Sequence, residues 1–165
     1  MKRLLVFGLI LGLMGIFAGT DAEAFLLEFI PSSQTVPLGS TTDVAIKISG
    51  LGDFSAPSLG VFDVDVNFDP AILNFNSVAY GDRILGDQLD LFGLGSITET
   101  TPRLGFVNLF ELSLDLPDDL NDLQSGAFTL ATLIFDTLSI GTSPLSFTVN
   151  SLGDAYGDYL EATTR

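Results

Sequence analysis

Alternation of apolar and polar residues with a period of two is the feature of this 165-residue chain that most limits its fold. The clearest example is GVFDVDVNF, residues 60–68. Successive side chains of a strand point to opposite faces, so this segment predicts a strand with one apolar and one polar face. The apolar face would carry Phe62, Val64, Val66 and Phe68, and the polar face Asp63, Asp65 and Asn67.

Similar segments recur along the chain, separated by Gly, Pro, Asp, Asn and Ser. The further predicted strands are 42–49, 72–78, 104–114, 128–138, 145–149 and 152–159. Segments 104–114 and 128–138 are apolar on both faces, as strands central to a sandwich should be. The pattern PDDLNDLQ, with acidic residues after a proline and leucines at a spacing of three, predicts one short helical connection near 118–124. This organisation predicts an all-β sandwich.

The N-terminus has the pattern of a secretory signal. Lys2 and Arg3 precede an apolar run of about 15 residues, shorter than the roughly 20 that span a bilayer. Ala22-Glu23-Ala24 then supplies the small-x-small pattern that signal peptidase recognises. We therefore predict a signal peptide at 1–24 and one domain at 25–165, in a secreted protein with no membrane span after cleavage. A retained anchor helix is the alternative.

Charge and missing residue types exclude several function classes. Residues 25–165 contain 19 acidic residues and only four basic ones, so the surface should repel nucleic acids. The chain has no His and no Cys, which excludes disulfides, Ser-His-Asp and Cys-His triads and the usual zinc sites. Carboxylate pairs such as Asp118/Asp119 or Glu111/Asp115 remain, but nothing indicates the aromatic-lined cleft of a glycosidase. We predict that the protein is not an enzyme.

Three segments carry a resemblance to a known family. They are FDVDVNFDPAILNFNSVAYGD (62–82), GAFTLATLIFDTLSIGTSPLSF (126–147) and TTDVAIKISGL (41–51), the last of which follows Pro37-Leu38-Gly39. In order and spacing they resemble cohesin modules, the receptor domains by which cellulosomal scaffolding proteins hold dockerin-bearing partners. The resemblance covers roughly residues 30–160.

The resemblance implies a jelly-roll β-sandwich of about nine strands, related to some cellulose-binding modules. It also implies an extracellular, non-catalytic protein-docking or adhesion module with a dockerin-like or other protein partner, connected with polysaccharide breakdown. The chain carries one such module, whereas cellulosomal scaffolding proteins carry several. Dockerin recognition therefore does not transfer residue by residue.

The polar face of the 60–68 strand is the candidate partner-binding site. Asp63 and Asp65 should lie about 6.5–7 Å apart on one face, too far to share a proton. Together with Asn67 they would present a polar ledge to a partner. The alternatives are a solvated outer face that discourages edge aggregation and a metal site.

Two further kinds of site remain open. A carbohydrate-binding module on the same fold is the alternative function; the chain has no Trp, so Tyr80, Tyr156 and Tyr159 would have to stack on the sugar. We expect no cofactor, but Gly-Asp pairs offer oxygen ligands for calcium, with Asp82, Asp87, Asp154 and Asp158 as candidates. None of these pairs matches the twelve-residue calcium loop, and turn formation explains them equally well.

Overall fold

The computed structural model describes residues 25–165, so the predicted signal peptide lies outside the described residues. This part of the chain forms nine strands and one short helix. The elements are β1 (Phe25–Ile30), β2 (Thr41–Ser49), β3 (Leu59–Asn67), β4 (Leu73–Tyr80), β5 (Ile97–Arg103), β6 (Phe106–Leu112), α1 (Pro117–Leu123), β7 (Ala127–Thr137), β8 (Ser146–Asp154) and β9 (Ala162–Thr164). No helix in this range is long and apolar enough to cross a membrane.

The strands form two sheets packed face to face. The five-stranded sheet has the order β4-β7-β2-β1-β9, and the four-stranded sheet has the order β5-β6-β3-β8. Hydrogen-bonded neighbours are antiparallel, except that β9 runs parallel to β1. The all-β sandwich, its short helical connection and the interior positions of β6 and β7 are therefore confirmed.

The core lies between the sheets and follows the period-two pattern. Phe62, Val64 and Val66 of β3 have no exposed surface. Across the core lie apolar side chains of the five-stranded sheet, and the Phe68 and Phe135 rings meet edge to face, with centroids 5.2 Å apart. Burying each such side chain is worth about 1.5–3 kcal/mol, so this alternation fixes which face of β3 points outward.

Strand β8 differs from the sequence prediction of two strands, 145–149 and 152–159. It is one strand with a β-bulge, because Val149 pairs with Val64 while Ser151 pairs with Asp63, which leaves Asn150 as the extra residue. The bulge explains the misleading pattern, since the inward residues Val149 and Leu152 are three positions apart rather than two. Residues 155–157 form a turn after this strand.

Three strands were not predicted: β1, β5 and β9. Strands β5 and β9 lie at sheet edges, and β1 is next to β9. Strand β5, with the sequence ITETTPR, has no buried residue. Edge strands with a proline and polar residues on both faces lack the alternation that identifies a strand.

Side chains complete the packing where the strands have no neighbour. Gln124, directly after α1, accepts a hydrogen bond from the Leu59 N–H (2.6 Å) and donates to the Leu59 carbonyl (2.9 Å). Its buried amide therefore replaces a strand neighbour at the start of β3. Between the sheets, the Tyr80 hydroxyl donates to the Glu99 carbonyl oxygen (2.6 Å), which joins edge strands β4 and β5.

Candidate docking face

The outer face of the four-stranded sheet carries the predicted polar residues. Asp63, Asp65 and Asn67 point away from the core and are half-buried by their neighbours. Antiparallel pairing places Asn108 of β6 opposite Asp65, and Thr148 of β8 on its other side. The predicted polar ledge is therefore the middle row of a wider surface that spans three strands.

Two asparagine amides connect the aspartates. Nδ2 of Asn108 donates to Oδ1 of Asp63 (2.6 Å) and Oδ1 of Asp65 (2.9 Å). Nδ2 of Asn150, the bulge residue, donates to the same two oxygens at 3.1 and 3.2 Å. Neither Oδ2 atom accepts a hydrogen bond within residues 25–165. Both carboxylates are held in place from two sides while one oxygen of each stays available to a ligand.

Aromatic side chains flank this network. On β6, Phe110 lies opposite Asp63 and Phe106 lies opposite Asn67, and both are half-buried. At the other end, Nδ2 of Asn67 donates to Oγ1 of Thr148 (3.1 Å). We call this surface the docking face; it consists of Asp63, Asp65, Asn67, Phe106, Asn108, Phe110, Thr148 and Asn150. Aromatic side chains are enriched in protein–protein interfaces, and this face offers two of them beside its ordered polar groups.

The aspartates considered as calcium ligands take part in turns. Oδ1 of Asp82 accepts hydrogen bonds from the N–H groups of Ile84 (2.7 Å) and Leu85 (3.1 Å), and Oδ2 accepts one from Thr129 (3.1 Å). Burial acts to raise the pKa of Asp82, but these N–H groups together hold that pKa below its usual value. The carboxylate is therefore already occupied by three backbone donors.

A second turn uses Asp154 in the same way. Its Oδ1 accepts hydrogen bonds from the N–H groups of Tyr156 and Asp158, both at 2.9 Å. Oδ1 of Asp87 accepts one from Leu89, also at 2.9 Å. No group of three or more acidic side chains in residues 25–165 is arranged to hold a metal ion. The hypothesis of a calcium site stays a prediction.

The three tyrosines occupy different environments. The Tyr80 ring lies between the sheets against Phe62, with centroids 6.3 Å apart, so it is not part of an exposed platform. Tyr156 and Tyr159 are 65% and 72% exposed in the turn between β8 and β9. The Tyr156 hydroxyl donates to Oδ1 of Asp118 in α1 (2.8 Å).

One unusual residue, Glu111, was considered at the sequence level only as a partner of Asp115. Its side chain points inward from β6 and is fully buried, while Asp115 instead accepts a hydrogen bond from the Leu91 N–H (2.7 Å). Oε1 accepts a hydrogen bond from the Ser96 hydroxyl (2.6 Å), but Oε2 has no partner. Burial raises the pKa of Glu111 to about 8; the Ser96 hydrogen bond lowers it, and the nearby Asp87 and Asp90 raise it. The sequence feature that could have identified Glu111 is its charge at an inward position of an alternating strand.

No protein-family model matches the chain, and no curated protein sequence matches it significantly. Solved structures do resemble the chain. Among them are cohesin modules, a class of jelly-roll β-sandwiches. A type II cohesin domain from the cellulosome of Acetivibrio cellulolyticus is 19% identical, with a TM-score of 0.65 over 86% of this chain and 92% of that one. The sixth cohesin of scaffoldin B from the same organism, solved with a Cel5 dockerin, is 17% identical (TM-score 0.63; 86% and 94% covered).

A third similar structure is the OlpA cohesin of Clostridium thermocellum in complex with the dockerin Doc918. It is 10% identical, with a TM-score of 0.64 over 86% of this chain and 94% of that one. The chain thus has the cohesin fold along nearly all of its described length, and the resemblance noted in the sequence is confirmed at the level of the fold.

Proposed function

We propose that this protein is an exported, non-catalytic docking module that binds another protein through the docking face. The observation that carries the proposal is the pair of aspartates held by Asn108 and Asn150 on a half-buried sheet face with aromatic flanks. Groups already fixed in position lose little conformational entropy on binding, which favours affinity. The solved relatives with dockerins support a protein as the ligand.

The charge of the face indicates what the partner should present. The Oδ2 atoms of Asp63 and Asp65 lie on the outer face of a chain with a net charge of −15. A partner with Arg or Lys near the centre of its interface would pair with them, and apolar neighbours would cover Phe106 and Phe110. We expect a dockerin-like module or another extracellular protein. We include in the proposal a link to polysaccharide breakdown, because one structural relative comes from a cellulosome.

Two matched variants on opposite faces test this function. Asp65→Ala removes one carboxylate from the docking face. Asp136→Ala removes one from the outer face of the other sheet, where it accepts hydrogen bonds from the amide of Asn76, the bulge residue of β4 (3.1 and 3.2 Å). Each variant removes one carboxylate that accepts hydrogen bonds from an asparagine amide, so the main difference between them is the face.

Binding would be measured by titration calorimetry against dockerin modules and exported proteins of the source organism. We expect Asp65→Ala to weaken binding about 30-fold, the effect of losing a central interface residue worth about 2 kcal/mol, and Asp136→Ala to leave it unchanged. Equal affinities for the two variants would contradict the assignment of the face. If the module binds no calcium, added calcium should leave its melting temperature unchanged; an increase would support the calcium hypothesis.

The alternative function is carbohydrate binding at the β8–β9 turn. The supporting observation is that Tyr156 and Tyr159 are exposed close together in sequence, with Asp118 hydrogen-bonded to one of them. Retention on insoluble polysaccharides, lost in Tyr156→Ala and kept in Asp65→Ala, would favour this function. Absence of retention on all polysaccharides tested would argue against it.

A further inference from the structure

A buried carboxyl group with an unpaired oxygen is the strongest anomaly in the described chain. Glu111 has no exposed surface, and its Oε2 is without a hydrogen-bond partner. The position is not needed for the docking face, because alternation along β6 turns Asn108 and Phe110 outward and Glu111 inward. An ionised carboxylate in such a place is strongly unfavourable unless something neutralises it.

The groups that act on Glu111 come from the loop 81–96 and from strand β4. The loop 81–96 contributes Asp87, whose carboxyl interacts with that of Glu111, and Asp90, whose charge also acts on Glu111. Ser96, at the end of that loop, donates its hydroxyl proton to Oε1. Strand β4 contributes Tyr80, whose phenol pKa is raised by burial. The hydrogen bond with Thr100 lowers this pKa, and the charge of Glu111 raises it. The charged groups that act most strongly on Glu111 are thus acidic, and none compensates its charge.

Two interacting carboxyl groups repel each other when both are ionised, and a proton on one of them converts the repulsion into a hydrogen bond. We propose that Glu111 keeps a proton in the folded protein and donates it to Asp87, which helps to hold the segment 89–96 against the sandwich, and that this segment loosens when the proton is lost. The Oε2 atom without a partner is then the oxygen that carries the proton toward Asp87. A metal ion would fit between these carboxyl groups less well than a proton. Residues 25–165 contain no group of three or more acidic side chains arranged to hold a metal ion.

Loosening of this segment would affect exposed apolar side chains and the edge of the sheet that carries the docking face. The segment carries Phe92 and Leu94, which are 53% and 84% exposed, and it leads directly into β5, the edge strand of the sheet that carries the docking face. Other anchors would stay in place, since Gln88 bonds to Ser125 and Gln124 through groups that do not titrate in this range. The opening is therefore local, and the sandwich itself stays folded.

The direct test is a carbon-13 NMR titration of the side-chain carboxyls in the intact domain. We expect the Glu111 carboxyl to titrate near pH 8, and its midpoint to fall by a unit or more (about tenfold in proton affinity) in Asp87→Asn, where the facing charge is removed. A Glu111 midpoint below pH 6, or one that Asp87→Asn does not move, would overturn the proposal. The wild-type titration decides the matter even if a variant does not fold.

Hydrogen exchange tests the loosening. After correction for intrinsic exchange, amides of 89–96 should exchange about tenfold faster per pH unit above the Glu111 midpoint, because opening follows loss of one proton. Glu111→Gln should abolish that increase, and Glu99→Gln, an exposed acid on β5, should keep it. If calcium chloride restores protection at high pH in the wild type but not in Glu111→Gln, the site binds a cation and the proton assignment is wrong.

Discussion

Replacing Glu111 with Gln should stabilise the fold by an amount that grows with pH. The glutamate has a pKa of 4.5 in its unperturbed state and about 8 in the folded protein. Between these values the unfolded chain releases a proton that the folded chain keeps, so stability falls as the pH rises. One proton corresponds to about 1.4 kcal/mol per pH unit. From pH 5 to pH 8 the wild type should lose up to about 4 kcal/mol relative to the variant.

The variant keeps the contacts of the protonated side chain. Glutamine has nearly the same shape and can donate to Asp87 as the protonated glutamate does, so the two proteins should be equally stable at pH 5. For a domain of this size about 1 kcal/mol changes the melting temperature by about 3 °C, so the gap should widen to about 10 °C at pH 8.

Urea denaturation followed by far-ultraviolet circular dichroism at pH 5, 6, 7, 8 and 9 measures the effect, since the chain has no Trp for fluorescence. Glu99→Gln, which removes the same charge from an exposed position on the neighbouring strand, is the control for the loss of one negative charge at each pH. A gap between wild type and Glu111→Gln that stays constant from pH 5 to 9 would refute the reasoning.

Three other substitutions test the hydrogen bonds and close packing that hold the loops. Gln124→Leu leaves the buried N–H and C=O groups of Leu59 without partners and should cost about 3–5 kcal/mol, measured by urea denaturation. Asp82→Ala removes the acceptor of three backbone N–H groups and should cost about 2 kcal/mol at pH 7. Since the folded pKa of Asp82 is depressed, this contribution is present above the unfolded pKa and is lost as the pH falls through the folded value, so the cost should shrink at pH 3. Gly126→Ala places a Cβ 2.8 Å from the Leu51 carbonyl oxygen and should lower the melting temperature, at a cost of about 1–3 kcal/mol.

The sequence predicts strands correctly where apolar and polar residues alternate clearly, and it misses strands that lack this alternation. Alternation in β2 and β3 places buried side chains on one face, and the apolar strands β6 and β7 occupy interior positions as expected. The polar face of β3 was predicted because the same alternation that builds the core determines which side chains point outward. The edge strand β5 gives no such signal, because no hydrophobic face of it is buried.

The candidate site was only partly predictable for a related reason. Asp63, Asp65 and Asn67 lie on one strand, so their shared face follows from local geometry. Asn108 and Asn150 reach them from neighbouring strands, and that requires the register between strands and the position of a bulge. Glu111 lies on β6 and Asp87 in the loop 81–96, so their interaction depends on the path of an irregular loop that no sequence pattern predicts.

Because Asn150 is an extra residue in a bulge, the outward side chains of β8 can change without a change in its inward side chains. Removing this single residue would restore plain alternation between Val149 and Leu152, so the inward side chains would keep their positions while the amide between the two aspartates would disappear. Among related domains, gain or loss of one residue here would alter recognition without rebuilding the interior. The same property makes it a place to edit specificity by changing the length of the chain rather than its composition.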